Sequence, residues 1–580
     1  MNIQPLLPLP VVLPIAGAVT APLLSRWHRR LPLIVAIITM LAAMGVLAVI
    51  ARQVYGGSGH LVSEYLSGEH PFSGKALGIA LVAGPFGMAF ALLTATLGLL
   101  LLASALSELG DLGQRELGVL ACLMQLLLAA LIGSALTADT INLFVWFEVA
   151  ALASYGLTGF FLEQPTALEA AFKVLVLTSI AGFLVFMGSA ILYRAAGGLN
   201  LGQLHHAAAL MNGTPGQVGV GLLLAGFATK AGLVPFHTWL PDAHAQGPSA
   251  VSALFSALMV DLGIVAIARI SLQMLGAEEG RHALVLLTWA GMVSALLGAL
   301  MALVQDDLKR LLAWDTVSQC GVLVVGFASA KAEGVAGAVY HLLNHGLFKA
   351  LLFLCAGAIL HATGTARLSE MGGLARRRPF ITAGFTVGAL AISGVPPLNG
   401  FASLGLIHKG IEDDPVIHVL AIVAQIITVA ALGRATYLGF YRRRQQPYEH
   451  LAPSHAGMRF SLVALGAGCA AFGALPGVLI DHVAAPAASI LLHPGTFAEG
   501  TLKGAAVVPK LTVSFSYTSV SDLIMSAVEI VLGGLLALLV VRHGEPRPVT
   551  WIRRLHSGSV NDYVAFAVVG MIVYCGALLG

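Results

Sequence analysis

The sequence predicts an all-α polytopic membrane protein of about 16 transmembrane helices, with two inverted five-helix repeats that each contain one broken helix. Three observations predict it. Of the 580 residues, 58% are hydrophobic and 10% charged, where a soluble domain carries roughly 25% charged residues. About sixteen apolar stretches approach the ~20 residues that a helix needs to cross a bilayer. Two of those stretches are interrupted by proline and glycine, each the fourth in a run of five.

In order, the segments run approximately 5–25, 31–51, 76–106, 117–136, 140–161, 168–193, 217–235, 249–271, 284–304, 308–329, 335–360, 380–406, 416–440, 459–480, 520–541 and 559–579. They divide into N-terminal helices 1–3 (residues 1–116), a first repeat of helices 4–8 (117–272), a second repeat of helices 9–13 (284–440) and C-terminal helices 14–16 (441–580). Residues 481–519 read as a polar, Gly/Pro-containing external loop. An odd number of helices per repeat inverts the second copy, an arrangement that brings broken helices together near the midplane of transporters.

Basic residues set the orientation. Segments 1–2, 9–10, 11–12, 13–14 and 15–16 are joined by Arg26/Arg29/Arg30, Lys309/Arg310, Arg367/Arg376/Arg377/Arg378, Arg442/Arg443/Arg444 and Arg542/Arg547/Arg553/Arg554. The other joints are neutral or acidic, as at Glu412/Asp413/Asp414. All five basic joints then share one side, the cytoplasmic one, with both termini facing out from a cell inner (plasma) membrane. The N-terminus MNIQPLLPLPVVLPIAGAV lacks a positive region ahead of its apolar run and reads as a retained first helix.

The chain is organised around KAGLVPFHTWLPDAHAQGPSAVSALFSALMVDLGIVAIAR, Lys230 to Arg269. Proline removes a backbone donor and clashes with the preceding turn, so Pro235, Pro241 and Pro248 cannot lie in one continuous helix. Broken backbone at membrane depth survives where protein buries it or water lines it. Ionisable groups beside such a break, here Lys230 and Asp261, mark an ion pathway. The second break is SGVPPLNGFAS, with Gly394, Pro396, Pro397 and Gly400.

Glu148, in the middle of NLFVWFEVAALASYGL, is the expected partner of Lys230. At about 4 Å and an effective dielectric of ~20 their attraction is roughly 4 kcal/mol, and doubling the distance halves it. Opening and closing the pair is a way to load and unload a proton; a static ion pair that fixes packing is the plainer alternative. YHLLNHGLFKALLFL sets His341, His345 and Lys349 at i, i+4 and i+8 on one helix face, with Asn344 beside them. That stripe reads as a proton relay joining the repeats, or as an interhelical hydrogen-bond seam. No HExxH and no carboxylate at ligand spacing favours a metal pair. His237, Asp242 and His244 flank the first break, as proton-uptake groups or as loop caps. Lys173 either extends the line between Glu148 and Lys230 or snorkels to an interface. His408 and Lys409 close segment 12 as exit candidates or interfacial residues. Asp315 and His361, near segment ends, read as structural.

Other chemistries are disfavoured. Cys122, Cys320, Cys355, Cys469 and Cys575 lie singly in apolar runs, without the spacing of an iron–sulfur or zinc site. No P-loop and no GxGxxG after a strand pattern is present, and no basic cluster points to nucleic acid. The chain is therefore expected to hold no cofactor, metal or catalytic centre of its own, leaving any redox step or ATP hydrolysis to other subunits.

KAGLVPFHTWLPDAHAQGPSAVSAL, DDLKRLLAWDTVSQCG, HLLNHGLFKALLFLCAGAILHATGT and GALAISGVPPLNGF resemble the antiporter-like subunits of complex I, Mrp-type cation/proton antiporters and membrane-bound hydrogenases. LAISGVPPLNGF and RRLHSGSVNDYVAF are most similar to the large membrane subunit of formate hydrogenlyase and related energy-converting hydrogenases. The resemblance spans roughly residues 76–440 and, more weakly, the C-terminus. It implies a fourteen-helix core with two half-channels joined by a central polar axis, in a large complex with other membrane subunits and a peripheral redox module. It also puts the coupling glutamate at Glu148, the broken-helix lysine at Lys230, and the segment-11 groups at His341, His345 and Lys349. This chain departs from the family in two places. Asp261 stands where a lysine or histidine is common, with Ser256 at the other usual position, and Leu404 stands where a lysine or glutamate follows GFxS. About fifteen residues between segments 15 and 16 are too few for the long lateral helix of the largest complex I subunit. The leading expectation is a proton-translocating subunit with Glu148/Lys230 as switch. The alternatives are an Mrp-type sodium/proton antiporter subunit, with Asp261 as cation ligand, and a channel-inactive scaffold that anchors a peripheral enzyme.

Overall fold

The computed structural model describes residues 3–444 except 57–58, 67–70, 73, 77 and 109–111, followed by 448, 451, 455–516, 519–544, 556 and 558–579. Arg547, Arg553 and Arg554 of the last basic joint lie outside the described residues.

Fifteen helices among the described residues are long and apolar enough to cross a bilayer, so this is a multi-pass membrane protein. They are α1 (Gln4–Leu24), α2 (Leu31–Val54), α3 (Pro85–Ser107), α4 (Gln114–Leu136), α5 (Thr140–Thr158), α6 (Pro165–Ala196), α7 (Thr214–Gln246), α8 (Ser249–Leu275), α9 (Arg281–Leu303), α10 (Leu308–Ala328), α11 (Ala332–Thr363), α13 (Pro415–Tyr441), α14 (Ala456–Ala474), α15 (Val520–His543) and α16 (Val560–Leu578). The sequence's twelfth segment is two half-helices, Pro379–Ile392 and Asn399–Ile411, together called α12.

Helices α4–α8 and α9–α13 repeat each other in detail. The second helix of each unit is capped by an aspartate side chain, Asp139 accepting from the Asn142 amide and Asp307 from the Arg310 amide, both at 2.9 Å. The third helix is 32 residues long in both and ends on a left-handed glycine, Gly197 or Gly364. Each capping aspartate forms a β-bridge to the segment just beyond that glycine, Asp139 to Asn200 and Asp307 to Arg367. The fourth helix breaks at another left-handed glycine, Gly232 or Gly394. Five crossings per unit run the copies in opposite directions.

The breaks are tolerated because neighbouring side chains take up the freed backbone groups. At the first, the Val234 amide donates to Ser294 Oγ at 2.8 Å, and Trp239 Nε1 donates to the Thr229 carbonyl at 2.9 Å. At the second, Gln425 Nε2 donates to the Ile392 carbonyl, Asn344 Nδ2 to the Asn399 carbonyl and Ser526 Oγ to the Gly394 carbonyl. Arg269 shows that a buried charge can be purely structural. Its guanidinium donates to the carbonyls of Ser134, Ala135 and Thr137, the open C-terminal end of α4.

Four of the basic joints meet at one end of the bundle. Arg434 donates to the Gln305 carbonyl, and Arg442 to the carbonyls of Leu368 and Met371. Arg29 reaches the Leu112 carbonyl, and Leu112 lines one cavity with Lys309, Arg310 and Arg367. At the opposite end Lys331 pairs with Asp413 at 2.6 Å.

Two stretches differ from expectation. The third helix begins at Pro85 and not near residue 76, because 80–83 forms a strand. That strand, β2 (Ala80–Ala83), pairs antiparallel with β1 (His60–Tyr65), whose other edge takes β3 (Ala505–Val507). The fold is thus almost entirely helical, with this one three-stranded sheet among the described residues. Within 481–519, read as a loop, the helices Ala485–Leu492 and Pro494–Lys503 form. With Pro476 at its start, this segment makes an apolar pair bent by 88°, packed beside α3 and α11. Pro476 and Pro494 sit at the first position of their helices, where a missing N–H costs nothing.

Candidate functional site

Buried ionisable groups gather in four places along the two units. In the first unit Glu148 (α5) and Lys230 (α7) face the same interior region but make no ion pair within 4 Å. The Lys230 ammonium is fully buried, meets no hydrogen-bond acceptor among the described residues, and lies 5.3 Å from the centroid of the Phe147 ring. A cation over an aromatic face gains roughly 0.5–2 kcal/mol, less than an ion pair at contact. Glu148 instead packs its carboxylate onto Gly182 of α6, so closely that a Cβ at that glycine would overlap Oε1. The expected pair is therefore open here.

Lys173 does not stand between these two. Its ammonium is held by Asp242 at 2.9 Å and by Glu169 at 2.7 Å. Asp242, in the second half of α7, also accepts from Arg310 at 3.2 Å and lies 3.4 Å from the Tyr563 hydroxyl. His237, just past the first break, meets His556 nitrogen to nitrogen at 2.8 Å, and both rings pack against Trp314. Arg310 places this cluster at the basic end. His244, two residues past Asp242, is buried among Trp239, Phe255 and Phe353, the last of them one turn beyond Lys349 on α11.

The third group joins the two units. Asp261 (α8) approaches His345 Nδ1 (α11) at 3.3 Å, with both side chains fully buried. One turn along α11, Lys349 makes a 2.5 Å ion pair with Asp315 (α10) and donates to the Leu312 carbonyl. One turn the other way, His341 holds Gln319 Oε1 and Ser403 Oγ, each at 2.9 Å. Asn344 continues the line by exchanging hydrogen bonds with Asn399, at the start of the second half of α12. The fourth group lies towards the opposite end, where His408 Nε2 is 3.8 Å from Glu529 Oε1 of α15 and its ring packs on His418. Lys409 is half-buried, with no ion pair or side-chain hydrogen bond among the described residues.

Asp261, His341, His345 and Lys349 thus form one cluster, while Lys173 and His237 belong to the basic-end cluster. Asp315, read as structural, is the carboxylate that neutralises Lys349. A carboxylate read one helix at a time shows no partner. Sequence reasoning does not single out Glu529, although Asp522, Ser526 and Glu529 fall on one face of α15 by spacing alone.

The family model described as NADH:quinone oxidoreductase/Mrp antiporter, TM matches residues 137–428. The chain is similar to a Na(+)/H(+) antiporter subunit of Alkalihalophilus pseudofirmus, 31% identical over 76% of this chain and 88% of that protein. It is similar to hydrogenase-4 component B of Escherichia coli, 37% identical over 48% of this chain, and spans 43% of that protein's length. Among solved structures it is similar in fold to a chain of the Mrp complex from Dietzia sp. DQ12-45-1b, with TM-score 0.78 and 24% identity over 87% of this chain and 100% of that one. It is also similar to a chain of the membrane-bound sulfane sulfur reductase, an archaeal respiratory membrane complex, with TM-score 0.77 and 26% identity over 86% and 99%. Both broken helices and every ionisable group named above from Glu148 to His408 lie inside the matched residues. The chain belongs to the NADH:quinone oxidoreductase/Mrp antiporter transmembrane family.

Proposed function

We propose that the chain is the proton-translocating, antiporter-like subunit of a multi-subunit membrane complex, moving protons through two half-channels joined by a buried polar axis. One observation carries this reading: the succession of interior ionisable groups from the basic end, through half-buried Glu148 and buried Lys230, across Asp261–His345–Lys349–Asp315, to His408. Such groups are expensive inside a membrane and stay where they serve an ion path. Lys173, His237 and His244 then serve uptake at the basic end, and His408 with Lys409 release at the other. The basic joints face the cytoplasm and both termini face outward. The partners are other membrane subunits and a peripheral redox module, and the transported ion is the proton.

Glu148 and Lys230 are the switch. A proton on Lys230 is stabilised when the Glu148 carboxylate swings from Gly182 towards it, and is released towards Asp261 when the carboxylate swings back. The test is purification in mild detergent with identification of every co-purifying chain, followed by transport measurements on Lys230→Ala in the assembled complex. Loss of coupled proton movement with assembly intact supports the reading; unchanged movement sinks it and leaves a scaffold.

A second reading, an Mrp-type sodium/proton antiporter subunit, is favoured by the similarity to a Na(+)/H(+) antiporter subunit over most of this chain and by the buried carboxylate of Asp261 as a cation ligand. Transport that requires sodium, in a complex whose partners are only small membrane subunits, would establish it instead.

A further inference from the structure

Leu404 leaves the second half-channel with no ionisable group on its own broken helix between Ser403 and His408, and α15 supplies a carboxylate beside His408. The buried face of α15 is Asp522, Ser526, Glu529 and Gly533. It is set close against α13, since a Cβ at Gly533 would press on Val429 at 2.6 Å. Ser526 donates to the Gly394 carbonyl at 2.9 Å, so this face touches the second break itself. Leu404 Cδ1 approaches the same glycine. One turn further along, Glu529 is 5% exposed, and no hydrogen bond ends on its Oε1. An acidic side chain with an unsatisfied oxygen inside a membrane protein costs several kcal/mol, and such groups mark ion pathways by default. His408 Nδ1 beside it, His418 Nε2 packed on His408, and Asp522 Oδ2 at the start of α15 are likewise buried without hydrogen-bond partners among the described residues.

We infer that Glu529 is a proton-transfer carboxylate of the second half-channel, contributed by the C-terminal helix α15 and working with His408. This rests on the proton-path reading above. In the step, protonated His408 gives its Nε2 proton to the Glu529 carboxylate, leaving a neutral imidazole and a neutral carboxyl group. The carboxyl then returns the proton along the Ser526–Asp522 face, regenerating the carboxylate, and the step runs equally in reverse. The 3.8 Å between Nε2 and Oε1 is closed by a side-chain rotation or by one bridging water. Glu529 is seven residues from Asp522, about 10 Å at 1.5 Å per residue, so the proton travels from Glu529 past Ser526, which touches the second break, to that end of α15.

The experiment measures gradient formation with a pH-sensitive dye in inside-out membrane vesicles holding the complete complex, for wild type, Glu529→Gln, Glu529→Asp and Lys230→Ala. The expected result is an intact complex with Glu529→Gln slowed at least about tenfold, as for loss of a general acid–base group, and Glu529→Asp largely restored. Wild-type transport by Glu529→Gln overturns the inference, as does equal loss in Glu529→Gln and Glu529→Asp, which marks a packing role. If Lys230→Ala also transports normally, the half-channel reading fails and this inference falls with it. If Lys230→Ala is dead and Glu529→Gln is normal, only the role of Glu529 is lost.

Discussion

Gly182 and Lys349 occupy the same position in the two five-helix units, equally far before the left-handed glycines that end α6 and α11. Each faces the carboxylate carried by the preceding helix: Lys349 ion-pairs with Asp315, and Gly182 receives Glu148. The unit that keeps its lysine on the third helix has a closed pair. The unit with glycine there leaves its carboxylate free to meet a lysine on the broken helix, Lys230.

Gly182→Ala tests that arrangement. The added methyl collides only with the tip of a flexible side chain and with no backbone, so the fold should hold while Glu148 is displaced. The expected outcome is a normally assembled complex with impaired proton transport. Unchanged transport would show that the seat of Glu148 is irrelevant.

Lys230→Met should not destabilise the protein. Lys230 is buried without a hydrogen-bond acceptor among the described residues, and an apolar chain of similar length removes a desolvation penalty of about 1–3 kcal/mol. Thermal denaturation of the purified complex should show an equal or higher midpoint. A marked drop would mean that the ammonium has a partner that holds the fold.

Asp315 and Lys349 should behave in the opposite way. Removing either alone strands a buried charge and costs about 3–5 kcal/mol, whereas removing both with apolar residues is close to neutral. The comparison is Lys349→Met, Asp315→Leu and the double variant, by denaturation midpoint and then by transport. A double variant that is stable but transport-dead assigns the pair to the pathway, and one that is stable and active assigns it to packing.

Asp139→Ala and Asp307→Ala remove equivalent caps and should cost about 1 kcal/mol each. Their effects should add, since the two caps belong to separate units and share no side-chain partner. Strong non-additivity would tie the two units together more tightly than their contacts imply.

Much of this is legible in the sequence, and the gaps have physical causes. The breaks in α7 and α12 are visible because proline and glycine alter backbone chemistry locally. The His341–His345–Lys349 stripe is visible because helical spacing alone puts the three on one face. The roles of Asp315 and Glu529 escape a sequence reading because their meaning lies in partners on other helices, which no local pattern reports. The strand 80–83 merges with α3 in one apolar run, and a short buried run carries no periodicity to separate strand from helix. The prolines and glycines of 481–519 look like loop residues, although Pro494 begins a helix.

The three-stranded sheet fixes an order of events during synthesis. β1 and β2 leave the ribosome early, but the partner of β1's other edge, β3, follows some 440 residues later. Until then the nascent chain carries an open strand edge, a template for wrong pairing that folded proteins normally cover. When Ala505–Val507 docks, it joins β1 to the bent helical segment that precedes α15. The last open edge of the sheet is therefore closed only after nearly the whole chain has been made.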